Sequence, residues 1–298
     1  MHVMIFGAGY SGKAIGQFLT SRGHRVCGTT RSAEKATTLG EFGIAPLLFD
    51  GRTLTPELRA ELASVTHLVQ SIAPGRDGDP LIRLFREAEL KTLMPKLEWI
   101  GYLSTVGVYG DHSGAWVDEN TELKPVSQRS VERVEAELAW QALAAESGIP
   151  LAILRLSGIY GPGRNAFVNL ANGTARRLVK KDQVFNRIRV EDIAGATAFF
   201  GERREPGIYN VTDNEPCPPQ DVVAEAARLM GVEPPPEQPF ETAELSLMAR
   251  SFYGENKRVS NVRLKQLGFA FRFGDYRQSL RDLWQSDSWN KAGPTAFS

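Results

Sequence analysis

The chain has 298 residues, 42% hydrophobic and 23% charged, an ordinary globular composition with room for one broad domain or a core and a smaller lobe. Lys and Arg number 35 and Asp and Glu number 35, so no broad electrostatic pull toward nucleic acid or a membrane surface is expected. No apolar run reaches membrane-spanning length and no signal-peptide pattern opens the sequence. His2, His24, His67 and His112 show no metal-ligand spacing. Cys27 and Cys217 read as buried free thiols in a reducing cytoplasm.

Val3-Met4-Ile5-Phe6 reads as a buried parallel strand and Ser11 to Leu19 as a helix. Gly7-Ala8-Gly9-Tyr10-Ser11-Gly12 lies between them. Strand, tight glycine turn and helix make the dinucleotide-binding fingerprint. Gly7 permits the turn, Gly9 lets the backbone approach a pyrophosphate, and Gly12 lets the helix pack close to the strand. Amides at the helix start, around Tyr10 and Ser11, then face the phosphates. Continued to Lys13, the same residues fit the spacing of a triphosphatase loop. That loop needs a hydroxyl at the next position to hold magnesium, and Ala14 has none.

Further strands are expected at 24–29, 44–49, 66–71, 98–104 and 150–156, with helices near 11–22, 32–40, 56–64, 79–93 and 126–147. The alternation predicts an α/β fold, a Rossmann-type doubly wound parallel sheet covered on both faces. Val131, Val134, Leu138 and Ala142 mark an apolar stripe on the last of these helices. At the end of the second strand, an acid would bond the adenosine ribose hydroxyl of NAD, whereas an arginine suits the 2′-phosphate of NADP. The chain has Thr29-Thr30-Arg31-Ser32 there and no acid. Arg31 between the hydroxyls of Thr30 and Ser32 favours NADP, with NAD as the other cofactor. The plain alternative is a solvated arginine opening a helix.

After Leu156 the rhythm loosens. Residues 158–163 read as loop, 166–180 as helix, 207–211 as strand, 220–229 as helix and 233–239 as a proline-rich connector. The expected division is a dinucleotide-binding core over 1–156 and a mainly substrate-binding lobe over 157–298, with elements near 185–212 returning to the core.

Leu103-Ser104-Thr105-Val106-Gly107-Val108-Tyr109-Gly110-Asp111 follows the fifth strand, and Arg155-Leu156-Ser157-Gly158-Ile159-Tyr160-Gly161-Pro162-Gly163-Arg164 the sixth. With the glycine turn and Arg189-Val190-Glu191-Asp192-Ile193-Ala194, they resemble the extended short-chain dehydrogenase/reductase family, the nucleotide-sugar epimerases and dehydratases, over about residues 2 to 285. The resemblance implies a nicotinamide cofactor and a small polar or sugar-type substrate. Carried over residue by residue, it gives Thr105 the hydrogen bond to the reacting oxygen and Asp50 the contact with adenine. It gives Ser71, Ile72 and Ala73 the lining of the cofactor, Gly158 and Ile159 the border of the nicotinamide, and Arg164 a place on the substrate side. For Thr105 the alternative is a strand-end hydroxyl bonded to backbone.

The chain departs from that family where its enzymes carry Tyr and Lys four residues apart, on the helix after the fifth strand. Here the helix reads Ser127-Gln128-Arg129-Ser130-Val131-Glu132-Arg133-Val134-Glu135-Ala136-Glu137. One alignment puts Ser127 and Val131 in the two places, the other Arg129 and Arg133. A lone serine is too weak an acid and arginine stays protonated, so neither pair performs that chemistry. Tyr102, Tyr109, Tyr160 and His112 are candidate proton donors, with packing the alternative for Tyr109 and Tyr160 and solvation that for His112. Two functional classes follow: an NADP-dependent oxidoreductase or epimerase-like enzyme, or a catalytically silent NADP-binding sensor or scaffold. The resemblance also implies a homodimer through helices near 79–93 and 126–147.

Overall fold

The computed structural model describes residues 1–291, and its centre is one parallel sheet of seven strands. The strands are β1 His2–Phe6, β2 Arg25–Thr30, β3 Ala45–Leu48, β4 His67–Gln70, β5 Trp99–Thr105, β6 Leu151–Leu156 and β7 Gly207–Val211. Their spatial order is β3-β2-β1-β4-β5-β6-β7, so the chain reverses direction across the sheet between β1 and β4. In doubly wound sheets ligands lie outside the carboxyl ends of the strands at such a reversal.

Every residue of β4 and β6 is buried, which is why both read as short apolar runs without alternation. β1 shows how the sheet divides two cores. Val3 and Ile5 join Ile15, Val26, Ala194 and Phe200 on one face, and Met4 and Phe6 join Leu58, Phe85, Ile100 and Trp140 on the other. The helices start on side-chain caps. Thr55, Asp79 and Ser127 accept from backbone N–H groups of helices Pro56–Leu62, Pro80–Ala88 and Gln128–Ser147.

The structure departs from the sequence reading at five places. Residues 79–93 are not one helix, because Glu89 (φ 50°) breaks them into Pro80–Ala88 and Leu90–Leu93. The stripe on Gln128–Ser147 does not face the sheet: Leu138 is 62% exposed, while Ser130, Glu132, Glu137 and Trp140 are buried. The predicted helix over 166–180 covers only Ala166–Ala171, since Gly173 turns the chain at φ +65° into a strand at Arg177–Val179. That strand pairs with Glu237–Pro239, so the proline-rich connector does hold a short ladder. It can do so because a two-stranded ribbon asks nothing of the missing proline N–H on its open side. The expected loop at 158–163 begins as a strand, Gly158–Tyr160, paired with Arg187–Arg189.

Helix Val190–Arg203 packs on helix Tyr10–Ser21, and β7 extends the sheet beside β6. The smaller apolar cluster beyond them gathers Phe167, Cys217, Val222, Ala226 and Leu280. Both cysteines are buried free thiols.

Candidate functional site

The turn after β1 gives its three glycines three different tasks. Gly7 has φ +84°, and a Cβ on it would lie 2.8 Å from Ile72 Cγ1. Only glycine suits that conformation and that approach to the end of β4. A Cβ on Gly9 would meet nothing nearer than the Gly7 carbonyl at 4.0 Å, so this face of the turn is open. Gly12 sits on the far side, where a Cβ would be 2.8 Å from the Gly7 carbonyl and 3.2 Å from Ile5 Cγ2. The turn is pinned to β2, because Gly7 N donates to Thr29 Oγ1 (2.9 Å) and Ala8 N to the Thr29 carbonyl (2.9 Å). The open backbone at Gly9, at the start of a twelve-residue helix, fits a pyrophosphate. Ser11 is half-buried in its first turn. Tyr10 points elsewhere: its hydroxyl donates to the Pro162 carbonyl at 3.0 Å, tying the helix start to the loop after β6.

At the end of β2, Thr30 Oγ1 accepts from Ser32 N at 3.4 Å, and Ser32 caps helix Ala33–Glu41 by accepting from Lys35 N at 3.4 Å. Arg31 is exposed and makes no ion pair or hydrogen bond among the described residues. Asp50, beyond β3, is exposed. Its Oδ1 accepts from Thr53 N (2.8 Å) and Arg52 N (2.7 Å), and these bonds hold its carboxyl below the usual range. Ser71 N donates to the Phe6 carbonyl, and Ile72 packs at the glycine turn; Ala73 is exposed beside them. Gly7, Arg31, Asp50 and Ser71 thus stand along one carboxyl edge.

Thr105 ends β5. Its Oγ1 accepts from Gly107 N at 3.1 Å, which leaves the hydroxyl proton free to be donated. A second hydroxyl lies close by. A Cβ on Gly107 would be 3.0 Å from Ser130 Oγ and 3.4 Å from Thr105 Oγ1, and Ser130 Oγ is 2.9 Å from Ser127 Oγ. Sequence reasoning missed Ser130. Its only signal was a hydroxyl one turn beyond the helix cap. Arg129 is exposed, whereas Arg133 Nη1 donates to the Leu103 carbonyl at 2.7 Å and to Tyr102 OH at 3.3 Å.

Of the candidate proton donors, Tyr160 is buried and its hydroxyl has no hydrogen-bond partner among the described residues. Burial pushes the phenol of Tyr160 well above the usual tyrosine range, far from proton transfer near neutral pH. His112 Nε2 lies 3.1 Å from the Tyr109 carbonyl, on a loop whose backbone is tied to Asn256. Tyr109 is fully buried; its hydroxyl donates to Asn210 Oδ1 (2.7 Å) and accepts from Arg155 Nη1 (2.9 Å). Arg155 in turn pairs with Glu137 at 2.7 Å, both side chains nearly inaccessible.

Gly158 is exposed and Ile159 packs on the core behind the strand they open. Beyond them a cleft of ≈ 480 Å³ is lined by Tyr160, Arg164, Asn165, Arg187, Val222 and Leu280. Asp213, just past β7, is buried, and its Oδ2 has no hydrogen-bond partner. Burial pushes its carboxyl up to about 8, against a bond from Glu215 N and the nearby Arg187 charge. Another cavity, of ≈ 400 Å³, opens at Phe18, Arg22 and Phe199, at the opposite end of the first helix from the glycine turn.

The model of the NAD dependent epimerase/dehydratase family matches residues 81–212. A solved structure described as a functionally unknown conserved protein from Silicibacter pomeroyi DSS is 43% identical, with a TM-score of 0.86 over 96% of this chain and 99% of that one. Protein YeeZ of Escherichia coli (strain K12) is 29% identical across 92% of this chain and 96% of its own. The UDP-glucose-4-epimerase of Stenotrophomonas maltophila, solved with bound NAD, shares the fold at 19% identity and a TM-score of 0.72, over 96% of this chain and 97% of that one. Residues 81–212 thus match the NAD dependent epimerase/dehydratase family, and the chain as a whole has the fold of the extended short-chain dehydrogenases/reductases.

Proposed function

We propose that the protein is an NADP-dependent oxidoreductase or epimerase-like enzyme acting on a small polar or sugar-type substrate. The observation that carries the cofactor reading is the unpaired Arg31 cation at the end of β2, on the same edge as the open face of Gly9. Gly9 and the amides after it would hold the pyrophosphate, Arg31 with Thr30 and Ser32 the 2′-phosphate, and Asp50 the adenine side. Ser71, Ile72, Ala73, Gly158 and Ile159 would border the rest. When bound, the nicotinamide supplies hydride chemistry. The Thr105 hydroxyl would orient the reacting oxygen, and Arg164 would face the substrate from the cleft beside Tyr160.

The second reading is a catalytically silent NADP-binding sensor or scaffold in the cytoplasm. The absence of Tyr and Lys from helix Gln128–Ser147 favours it, together with the burial of Tyr102, Tyr109 and Tyr160. Among the described residues no helix is long and apolar enough to cross a membrane. Exposed Leu138 on that helix supports a homodimer, which light scattering at micromolar concentration checks; a monomer removes it.

Fluorescence titration with NADPH and NADH tests the cofactor reading. Tighter NADPH binding, lost in Gly9→Val, is the expected result. Equal affinities would overturn the NADP preference, and binding that survives Gly9→Val would overturn the assigned site.

A further inference from the structure

At the edge of the sheet opposite the glycine turn, three unlike side chains converge. His2 opens β1, Cys27 lies in β2, and Glu61 rises from helix Pro56–Leu62. His2 Nε2 is 2.8 Å from Glu61 Oε1. Cys27 Sγ is 3.0 Å from the same oxygen and 3.6 Å from His2 Nε2. The other imidazole nitrogen is turned away. His2 Nδ1 lies 3.1 Å from the Ser64 carbonyl, which can only accept, so Nδ1 carries a proton and Nε2 faces the thiol and the carboxylate. Metal-bound histidines are commonly held by such an outer hydrogen bond. Cys27 is buried, while His2 and Glu61 are partly accessible and leave a way in.

We propose that His2, Cys27 and Glu61 form a three-ligand site for a zinc-class divalent cation, with water in the fourth position. One sulfur, one imidazole nitrogen and one carboxylate oxygen suit Zn²⁺ and exclude the all-oxygen preference of Mg²⁺ and Ca²⁺. Zinc bonds of about 2.0–2.3 Å set ligand separations of about 3.3–3.7 Å, so Glu61 has to withdraw by about half an ångström. On binding, the Cys27 thiol and the His2 Nε2–H that faces Glu61 each give a proton to solvent, and sulfur–metal and nitrogen–metal bonds form; no electron is transferred. Arg25 opposes the site. Its exposed guanidinium donates to Glu61 Oε1 at 2.6 Å and has to swing outward when the cation enters. The site joins β1, β2 and the helix beneath them, so its role is structural and independent of the cofactor reading.

Titration of the tag-free, EDTA-stripped full chain with Co²⁺ alone tests this. The expected result is one equivalent bound, with a near-ultraviolet sulfur-to-cobalt charge-transfer band that Zn²⁺ displaces. Cys27→Ser, checked for folding by circular dichroism, loses the band. Arg25→Ala, an exposed change, tightens Co²⁺ binding about fivefold by removing a neighbouring charge. A folded wild type without the band, or the same band in Cys27→Ser, overturns the site. Unchanged affinity in Arg25→Ala overturns Glu61 as a ligand.

Discussion

The carboxyl ends of β1 to β4 and those of β5 to β7 are built by different means. The first group relies on backbone: a glycine at positive φ, an open turn, and backbone N–H groups held by the hydroxyls of Thr29 and Thr30. The second relies on buried side chains brought from far apart. Ser104 Oγ donates to Glu137 at 2.5 Å, Arg155 pairs with Glu137 and reaches Tyr109, and Tyr109 reaches Asn210, whose N–H donates to Glu119 at 2.8 Å. A similar knot ties the start of helix Val190–Arg203 to residues 272–282, with Arg189 held by Glu191, Ser279 and Asp282, and Asp192 accepting from Arg272 N and Phe273 N. A backbone-built edge is specialised for an incoming ligand. A side-chain-built edge spends most of its polar groups on holding two layers together, and Thr105 and Ser130 are among the few left over.

The comparison breaks most visibly in stability. Glu137→Ala strands the Arg155 charge in the interior and should cost about 3–5 kcal/mol in denaturant unfolding. Gly9→Val should stay within about 1 kcal/mol of wild type, because its Cβ points into open space. Similar losses for the two would erase the distinction. The next effect is on cofactor choice. Arg31→Ala should lose about 1.5–3 kcal/mol of NADPH affinity, the worth of one charge-assisted contact, and leave NADH binding alone. An unchanged preference would return Arg31 to an ordinary solvated side chain.

The smallest effect concerns pH. Asp213 ionises near 3.8 in an unfolded chain and is pushed up to about 8 in the fold. Between those values the native state holds the extra proton, so this group makes stability fall as pH rises toward 8. Asp213→Asn removes that slope and should gain about 1–2 kcal/mol over wild type at pH 8, with little difference at pH 4. Thermal midpoints of both proteins across that range check it, and parallel curves would show that Asp213 ionises freely.

The same contrast explains what the sequence made legible. β1 to β7 and the glycine turn were readable because each rests on a few adjacent residues. Helix Gln128–Ser147 was legible, but its inward face was not, because that face is chosen by distant partners: Trp140 Nε1 donates to Asp79 at 3.1 Å, and Glu137 belongs to Arg155. Apolar spacing alone put Leu138 in one stripe with Val131, Val134 and Ala142 without saying what that stripe faces, and the fold leaves Leu138 exposed. Asp213 had no local signal, since its unpartnered oxygen is a product of burial. Ser130 became visible only when the turn at Gly107 brought it beside Thr105.

Whether the side-chain-built edge still does chemistry is decided at Thr105. Valine matches its shape and removes its hydrogen bonds. Measured on a carbonyl or nucleotide-sugar substrate that the wild type turns over with NADPH, Thr105→Val should lower kcat by about 100-fold or more while NADPH affinity stays within about twofold. Turnover undiminished in Thr105→Val would contradict the account. So would a wild type silent across such substrates whose partner binding or protease resistance changes with NADPH, which is the behaviour of the sensor.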